Sequence, residues 1–159
     1  FCSDQGQMER CIGRGPSRKM TQRAYVDTSA YLAIILGEQG YKSVLDAIHA
    51  KELCSSTLLL LESERNIVRM SRECLIEQDD YEQLRKQIQS DREAFILRDL
   101  TPDLCLQYIF PAISTPRSAD LVHLRTAAWF KSNGGLAIFV SLDSGQRRAA
   151  SDMNFEVVP

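Results

Sequence analysis

With 159 residues, 44% of them apolar, the chain is the size of one ordinary domain and can close a real core. Its 19 basic and 21 acidic residues leave a formal charge of −2, which excludes a protein that holds nucleic acid chiefly by bulk positive charge. A nuclease is not excluded, because carboxylates that ligate cations lower the formal charge and the bound cations restore it.

Residues 1–20, rich in Gly, Ser, Arg and Gln, show neither helical nor strand period. They read as a disordered tail or upstream extension, with Met20 as a candidate natural start and residues 21–159 as the folded domain. Arg23 to Val26 suggests a short buried strand that ends at Asp27. Thr28 or Ser29 is positioned to cap the helix that runs on through Ala30 to Gly37. After a turn at Gly40, apolar residues at 41, 44, 45 and 48 give Tyr41 to Ala50 a helical spacing. Leu53 to Ser55 is a second strand, and a long helix runs from Thr57 to about Ile76. A polar helix covers Asp79 to about Phe95, its acidic start facing the positive helix end. Thr101-Pro102-Asp103 opens another helix, with Thr101 as N-cap and Pro102 in the first turn. Pro111 and Pro116 bound the next connection. A helix over Ser118 to Ser132 closes at Asn133-Gly134-Gly135, and the apolar run Leu136 to Val140 is the clearest strand. A short helix over residues 145–151 and a strand over Phe155 to Val158 complete the order. Strands alternating with helices predict an α/β protein, a three-layer sandwich on a mainly parallel sheet. In such sheets ligands gather at the carboxyl ends of the strands.

Five cysteines, an odd number with no C-x-x-C pair, suggest neither a disulfide framework nor a zinc site. Cys54, Cys74 and Cys105 lie among apolar residues and read as small buried hydrophobes. No apolar run is long enough for a membrane span, and the N-terminus lacks the apolar stretch of a signal peptide, so a cytoplasmic location is expected.

Asp27 and Asp143 each stand one step past an expected strand, at the carboxyl edge of the sheet. Each is open to two readings, a helix cap or a ligand pointing into the crevice. Glu62 follows four leucines at the start of a helix, where a dipole-facing or ion-paired carboxylate is the alternative to a site residue. Asp120 lies in the first turn of its helix, where capping is the alternative. His49 and His123 sit on helices among apolar residues and read as packed or partner-bound imidazoles. No Gly-rich phosphate loop, H-E-x-x-H or G-x-S-x-G is present. Acids without histidine or cysteine partners suit a hard cation such as Mg²⁺ or Mn²⁺. Phosphodiester hydrolysis is chemistry that fits such a cation.

Four segments then carry a family likeness. Ala24-Tyr25-Val26-Asp27-Thr28-Ser29-Ala30 resembles an opening strand with D-T-S-A. Ser56 through Glu62 resembles an S-x-x-x-x-x-E helix start. Ser118 to Ala127 is similar to a D-x-x-H-L-x-x-A helix. Phe139 to Asp143, followed by Phe155 to Val158, is similar to a terminal T-x-D and closing strand. In this order they resemble PIN-domain ribonucleases, in particular the VapC-type toxins of toxin–antitoxin pairs, over residues 23–158. The resemblance implies an α/β/α sandwich in which Asp27, Glu62, Asp120 and Asp143 converge on Mg²⁺, with Mn²⁺ as a substitute. Asp27 and Asp120 would be the firmest ligands, with Ser29 and Ser141 orienting carboxylates through hydrogen bonds. Ser141 departs from the commoner Thr, and Arg125 replaces a small residue, so that it packs differently or reaches a phosphate. Glu64 competes with Glu62, but two residues turn a helix by about 200°, so only one of them faces the pocket. The leucine run and the serine spacing favour Glu62. The resemblance also implies an RNA substrate, a cognate antitoxin covering the helices near residues 41–50 and 57–72, and a homodimer. Arg65, Arg69 and Arg72 are candidates for RNA phosphates. The other reading from these residues is an inactive PIN scaffold that works only as a protein-binding module.

Overall fold

A computed structural model describes residues 22–106 and 117–159. The expected tail over 1–20 and the connection bounded by Pro111 and Pro116 lie outside the described residues. Five strands form one parallel sheet: β1 (Arg23–Val26), β2 (Glu52–Ser56), β3 (Phe95–Arg98), β4 (Ile138–Val140) and β5 (Val157–Val158). Their order across the sheet is β3-β2-β1-β4-β5. The central strand β1 pairs with β2 on one side (Tyr25 opposite Cys54) and with β4 on the other (Tyr25 opposite Phe139). Strand order therefore reverses at β1, which places a crevice at the carboxyl ends of β1 and β4.

Seven helices are described: α1 (Thr28–Leu36), α2 (Tyr41–Ile48), α3 (Leu58–Arg72), α4 (Gln78–Asp91), α5 (Pro102–Leu106), α6 (Ser118–Ser132) and α7 (Ser144–Asp152). The period-2 alternation of β1 divides the core between them. Ala24 and Val26 face one side, packed with Ala30 and Tyr31 of α1, Val44 of α2, Leu59 and Ile67 of α3 and Ile88 of α4. Tyr25 faces the other, packed with Leu124, Ala127 and Phe130 of α6 and with Ala149 and Ala150 of α7. The result is the three-layer α/β/α sandwich that the element order predicts, with every strand parallel.

Several expectations are corrected. The polar helix stops at Asp91; a 3-10 turn over Arg92–Ala94 follows, and Phe95 to Arg98 is the edge strand β3, paired with β2. A run of three apolar residues, Phe95-Ile96-Leu97, is too short to stand out beside the helix it follows. Helix α3 ends at Arg72 rather than near Ile76, and Cys74 adopts a left-handed φ of 55° beyond it. Helix α2 ends at Ile48, and His49 is its exposed C-cap rather than a packed imidazole. Of the described cysteines only Cys54 is buried, whereas Cys74 and Cys105 are exposed, as are the apolar residues Leu75 and Leu106 that follow them in sequence.

Cys54 is fully enclosed, its Sγ donates to the Ala24 carbonyl, and burial pushes its thiol up to about 12. Thiolate is the reactive form, so Cys54 is expected to stay unmodified when the native protein meets iodoacetamide at about pH 8, while Cys74 is alkylated. Peptide mass spectrometry before and after denaturation reads this directly. Equal labelling of the two thiols in the native state would contradict the packing around β2.

Candidate functional site

The crevice beside β1 is a cavity of about 430 Å³, and all four acids singled out in the sequence line it. Asp27 ends β1, Asp143 follows β4, Glu62 rides on α3 and Asp120 on the first turn of α6. Strands that stop at the crevice and helices that start there are what bring together acids far apart in the chain.

Asp27 is 5% exposed, and both of its carboxylate oxygens are held. Oδ1 accepts from the Ser29 hydroxyl at 2.8 Å and from the Ala30 backbone N–H at 3.0 Å, and Oδ2 accepts from the Ser141 hydroxyl at 2.7 Å. The bond to Ala30 makes Asp27 itself the N-cap of α1, where Thr28 or Ser29 is expected from the sequence. Asp143 is exposed, and its Oδ1 caps α7 through the Gln146 backbone N–H at 2.8 Å. For both strand-end acids the cap is therefore real, and each still lines the cavity. Ser29 Oγ also accepts the backbone N–H groups of Leu142 and Asp143 at 2.9 and 3.2 Å.

Glu62 faces the cavity, whereas Glu64 lies on the exposed side of α3, 3.8 Å from the Arg85 guanidinium. Oε2 of Glu62 accepts from Thr28 Oγ1 and lies 3.0 Å from Nε2 of His123. Of the three α3 arginines, Arg69 lines the cavity and Arg117 joins it from the start of α6. Arg125 does not line it, since its guanidinium donates to the Cys105 carbonyl of α5.

The electrostatics follow from this crowding. Burial pushes the Asp27 carboxyl up, against the hydrogen bonds from Ser141, Ala30 and Ser29. Burial also raises Asp120, the neighbouring charges of Asp143 and Glu62 add to the rise, and the backbone and side chain of Arg117 oppose it. Burial raises Glu62 as well, but the bonds from His123 and Thr28, with the charge of Arg65, outweigh it and hold the carboxyl below the usual range.

Among the described residues, no three His, Cys, Asp or Glu side chains stand close enough to ligate one ion as placed. The acids surround a shared cavity instead. The donor set nonetheless fits a hard divalent cation: it is all oxygen, and the charges of Asp143 and Glu62 raise the proton affinity of Asp120. Mg²⁺ in particular keeps several waters and needs only one or two protein carboxylates in direct contact.

His123, Thr28 and Gln146 are contributors that spacing alone does not single out as site residues. His123 is buried between Tyr25 and Glu62. Gln146 is buried too, and its Nε2 donates to the Asp120 carbonyl at 3.1 Å, joining α7 to α6 beneath the two acids. The D-x-x-H spacing on α6 is the one local signal for His123, because residues three apart share a helix face.

Fold and site together define an α/β protein with a four-acid cavity where its parallel strand order reverses. The family profile of the PIN domain matches residues 24–152, and the chain belongs to the PIN-domain family. PIN domains are in general nucleases, so the fold is that of a hydrolase acting on nucleic acid. Among solved structures, the crystal structure of PAE2754 from Pyrobaculum aerophilum is similar at 12% identity with a TM-score of 0.49, over 91% of this chain and 90% of that one. No curated protein matches the chain. No helix among the described residues is long and apolar enough to cross a membrane.

Proposed function

We propose that the protein is a Mg²⁺-dependent endoribonuclease, with Mn²⁺ as a substitute, that hydrolyses RNA phosphodiester bonds in the four-acid cavity. We propose further that it acts in the cytoplasm as the toxin of a toxin–antitoxin pair of the VapC type. The nuclease domain is residues 21–159, with residues 1–20 outside it. The observation that carries the reading is that Asp27, Glu62, Asp120 and Asp143, from four different segments, line one cavity at the switch point of the sheet.

Asp27 and Asp120 hold the cation most directly, and Glu62 and Asp143 do so directly or through water. A cation bound there supplies activation of water and offsets charge at the scissile phosphate. The chain's own residues do the rest. Ser29 and Ser141 fix both oxygens of Asp27, so the carboxylate need not reorganise when the cation arrives. Arg69 and Arg117, at the cavity wall, are placed to take phosphates of the RNA backbone, with Arg65 and Arg72 further along α3. The partner reading rests on exposed apolar side chains of α2 and α3: Leu45 is 42% exposed and Leu61 66%. These suit coverage by an antitoxin segment, and the toxin itself pairs as a homodimer.

The test is cleavage of total RNA by the purified protein, with Mg²⁺ and with a chelator. Cleavage is expected with the metal and not with the chelator. Glu62→Gln should lose at least 10²-fold in rate, in line with the several kcal/mol a cation site supplies. Glu64→Gln, on the outer face, should stay within about twofold, since exposed ion pairs such as its contact with Arg85 contribute little. Equal loss in both variants would sink the assignment on α3. No cleavage, together with no cation uptake in calorimetry, would leave the protein as a binding scaffold.

A further inference from the structure

Behind Glu62 the cavity wall holds a chain of hydrogen bonds that reaches the centre of the sheet. Tyr25, fully buried on β1, places its hydroxyl 2.8 Å from Nδ1 of His123. Nε2 of the same ring lies 3.0 Å from Oε2 of Glu62 and 3.2 Å from Thr28 Oγ1. Thr28 Oγ1 donates to that same Oε2. A phenol keeps its proton at neutral pH, so Tyr25 has one to give to Nδ1, 2.8 Å away. An imidazole that accepts at Nδ1 carries its hydrogen on Nε2, the nitrogen that faces Glu62. The ring itself has little freedom: it meets Tyr25 edge-on at 5.9 Å between centroids and is itself buried.

We infer that Tyr25 and His123 are positioning residues for Glu62: the phenol sets the imidazole tautomer, and the Nε2 hydrogen, with the Thr28 hydroxyl, holds one carboxylate oxygen so that Oε1 is presented to a divalent cation. The inference rests on the four-acid reading above. A glutamate on a helix has three rotatable bonds, and as a ligand it must give up that freedom each time a cation binds. Two donors on Oε2 remove the freedom beforehand. The arrangement also ties α3, α6 and β1 together at one point, since Glu62, His123 and Tyr25 belong to those three elements. Residues that hold ligands in this way ordinarily matter to metal affinity about 10–100-fold.

The experiment uses the full chain, free of metal and of RNA, in three variants. Tyr25→Phe keeps the ring and removes the hydroxyl. His123→Leu removes both ring nitrogens, and His123→Gln returns an N–H near the Nε2 position. Mn²⁺ affinity is read by calorimetry, the state of His123 by ¹⁵N imidazole resonances, and folding by circular dichroism. The metal-free wild type is expected to show a bare Nδ1 and a hydrogen on Nε2, and Glu62→Gln should move the His123 signals. Mn²⁺ affinity should fall about 10–100-fold in His123→Leu and recover in part in His123→Gln. In Tyr25→Phe it should fall, with the imidazole split between tautomers. Wild-type affinity in a folded His123→Leu, or a hydrogen on Nδ1 in the wild type, would overturn the inference. Should His123→Leu fail to fold, Tyr25→Phe and the wild-type spectrum decide it. If the wild type takes up no Mn²⁺, the metal reading fails by itself, and the His123 signals in Glu62→Gln still decide the tether: a shift sustains it, and no change overturns it.

Discussion

Asp27→Asn is expected to abolish metal-dependent RNA cleavage, by about 10³-fold or more, while leaving the metal-free protein at least as stable as the wild type. The first half follows from the several kcal/mol that a cation site supplies to phosphoryl chemistry. The second half follows from burial. Asp27 is almost wholly enclosed, and its proton affinity is raised in the fold in spite of three donors. A carboxyl whose folded pKa lies above its unfolded one loses its proton first in the unfolded chain. Stability therefore falls as pH rises from the unfolded value and levels off above the folded value. At neutral pH the wild type carries that cost and the amide carries none. Asn can keep the Ala30 cap with its carbonyl and donate to the Ser141 hydroxyl, which can turn to accept. Thermal melts of both proteins without metal, at about pH 7 and again in acid, check this. The gap should close as the pH drops and Asp27 takes up its proton. A mutant several degrees less stable at neutral pH would show that Asp27 is held for structure first.

Phe139→Ala is expected to be the most destabilising single truncation, costing about 3–5 kcal/mol. Phe139 is fully buried on β4, stacked on Tyr25 at 5.2 Å with planes 11° apart, and 5.8 Å from Phe155. Its removal opens a void between β4, the Tyr25 ring and the α7 layer that rigid strands cannot close. Against a total stability of about 5–15 kcal/mol that is roughly a fifth or more of what holds the chain folded. Urea denaturation should show a lower midpoint with a similar slope. Leu61→Ala, on an exposed face of α3, should change stability by less than about 0.5 kcal/mol and serves as the control. A loss below about 1 kcal/mol for Phe139→Ala would mean that the cluster repacks freely.

The sequence is most legible where local patterns decide the structure. Arg23 to Val26 and Leu136 to Val140 carry apolar runs with an acid one to three residues beyond, and helix α6 has the bounds its spacing predicts, Ser118–Ser132. The four acids come out on one cavity because the end of a parallel strand is a defined place in the fold. What is illegible depends on contacts across the chain. Strand β3 is a strand because β2 lies beside it, and its short run of apolar residues has no turn signal before it. The choice of Asp27 over Thr28 as cap depends on how the chain leaves the sheet. Whether Cys74 and His49 are buried depends on what packs over them, and their apolar neighbours in sequence misdirect the reading. His123 reads correctly as a partner-bound imidazole, but its partners Tyr25 and Glu62 lie 98 and 61 residues away, beyond any local spacing.

Ser29 gives the cleft a mechanical asymmetry. Its hydroxyl oxygen joins the Asp27 carboxylate to the backbone of Leu142 and Asp143, so the ends of β1 and β4 form one plate that cannot shear without breaking several bonds at once. Glu62 approaches that plate from α3 and is tied to β1 through His123 and Tyr25, whereas Asp120 approaches it from the first turn of α6. The two strand-end acids and the tethered Glu62 are the fixed jaw of a vice, and Asp120 faces them from the other side. Hydrogen exchange should accordingly find the amides of Ala30, Leu142 and Asp143 slow and those of the first turn of α6 faster.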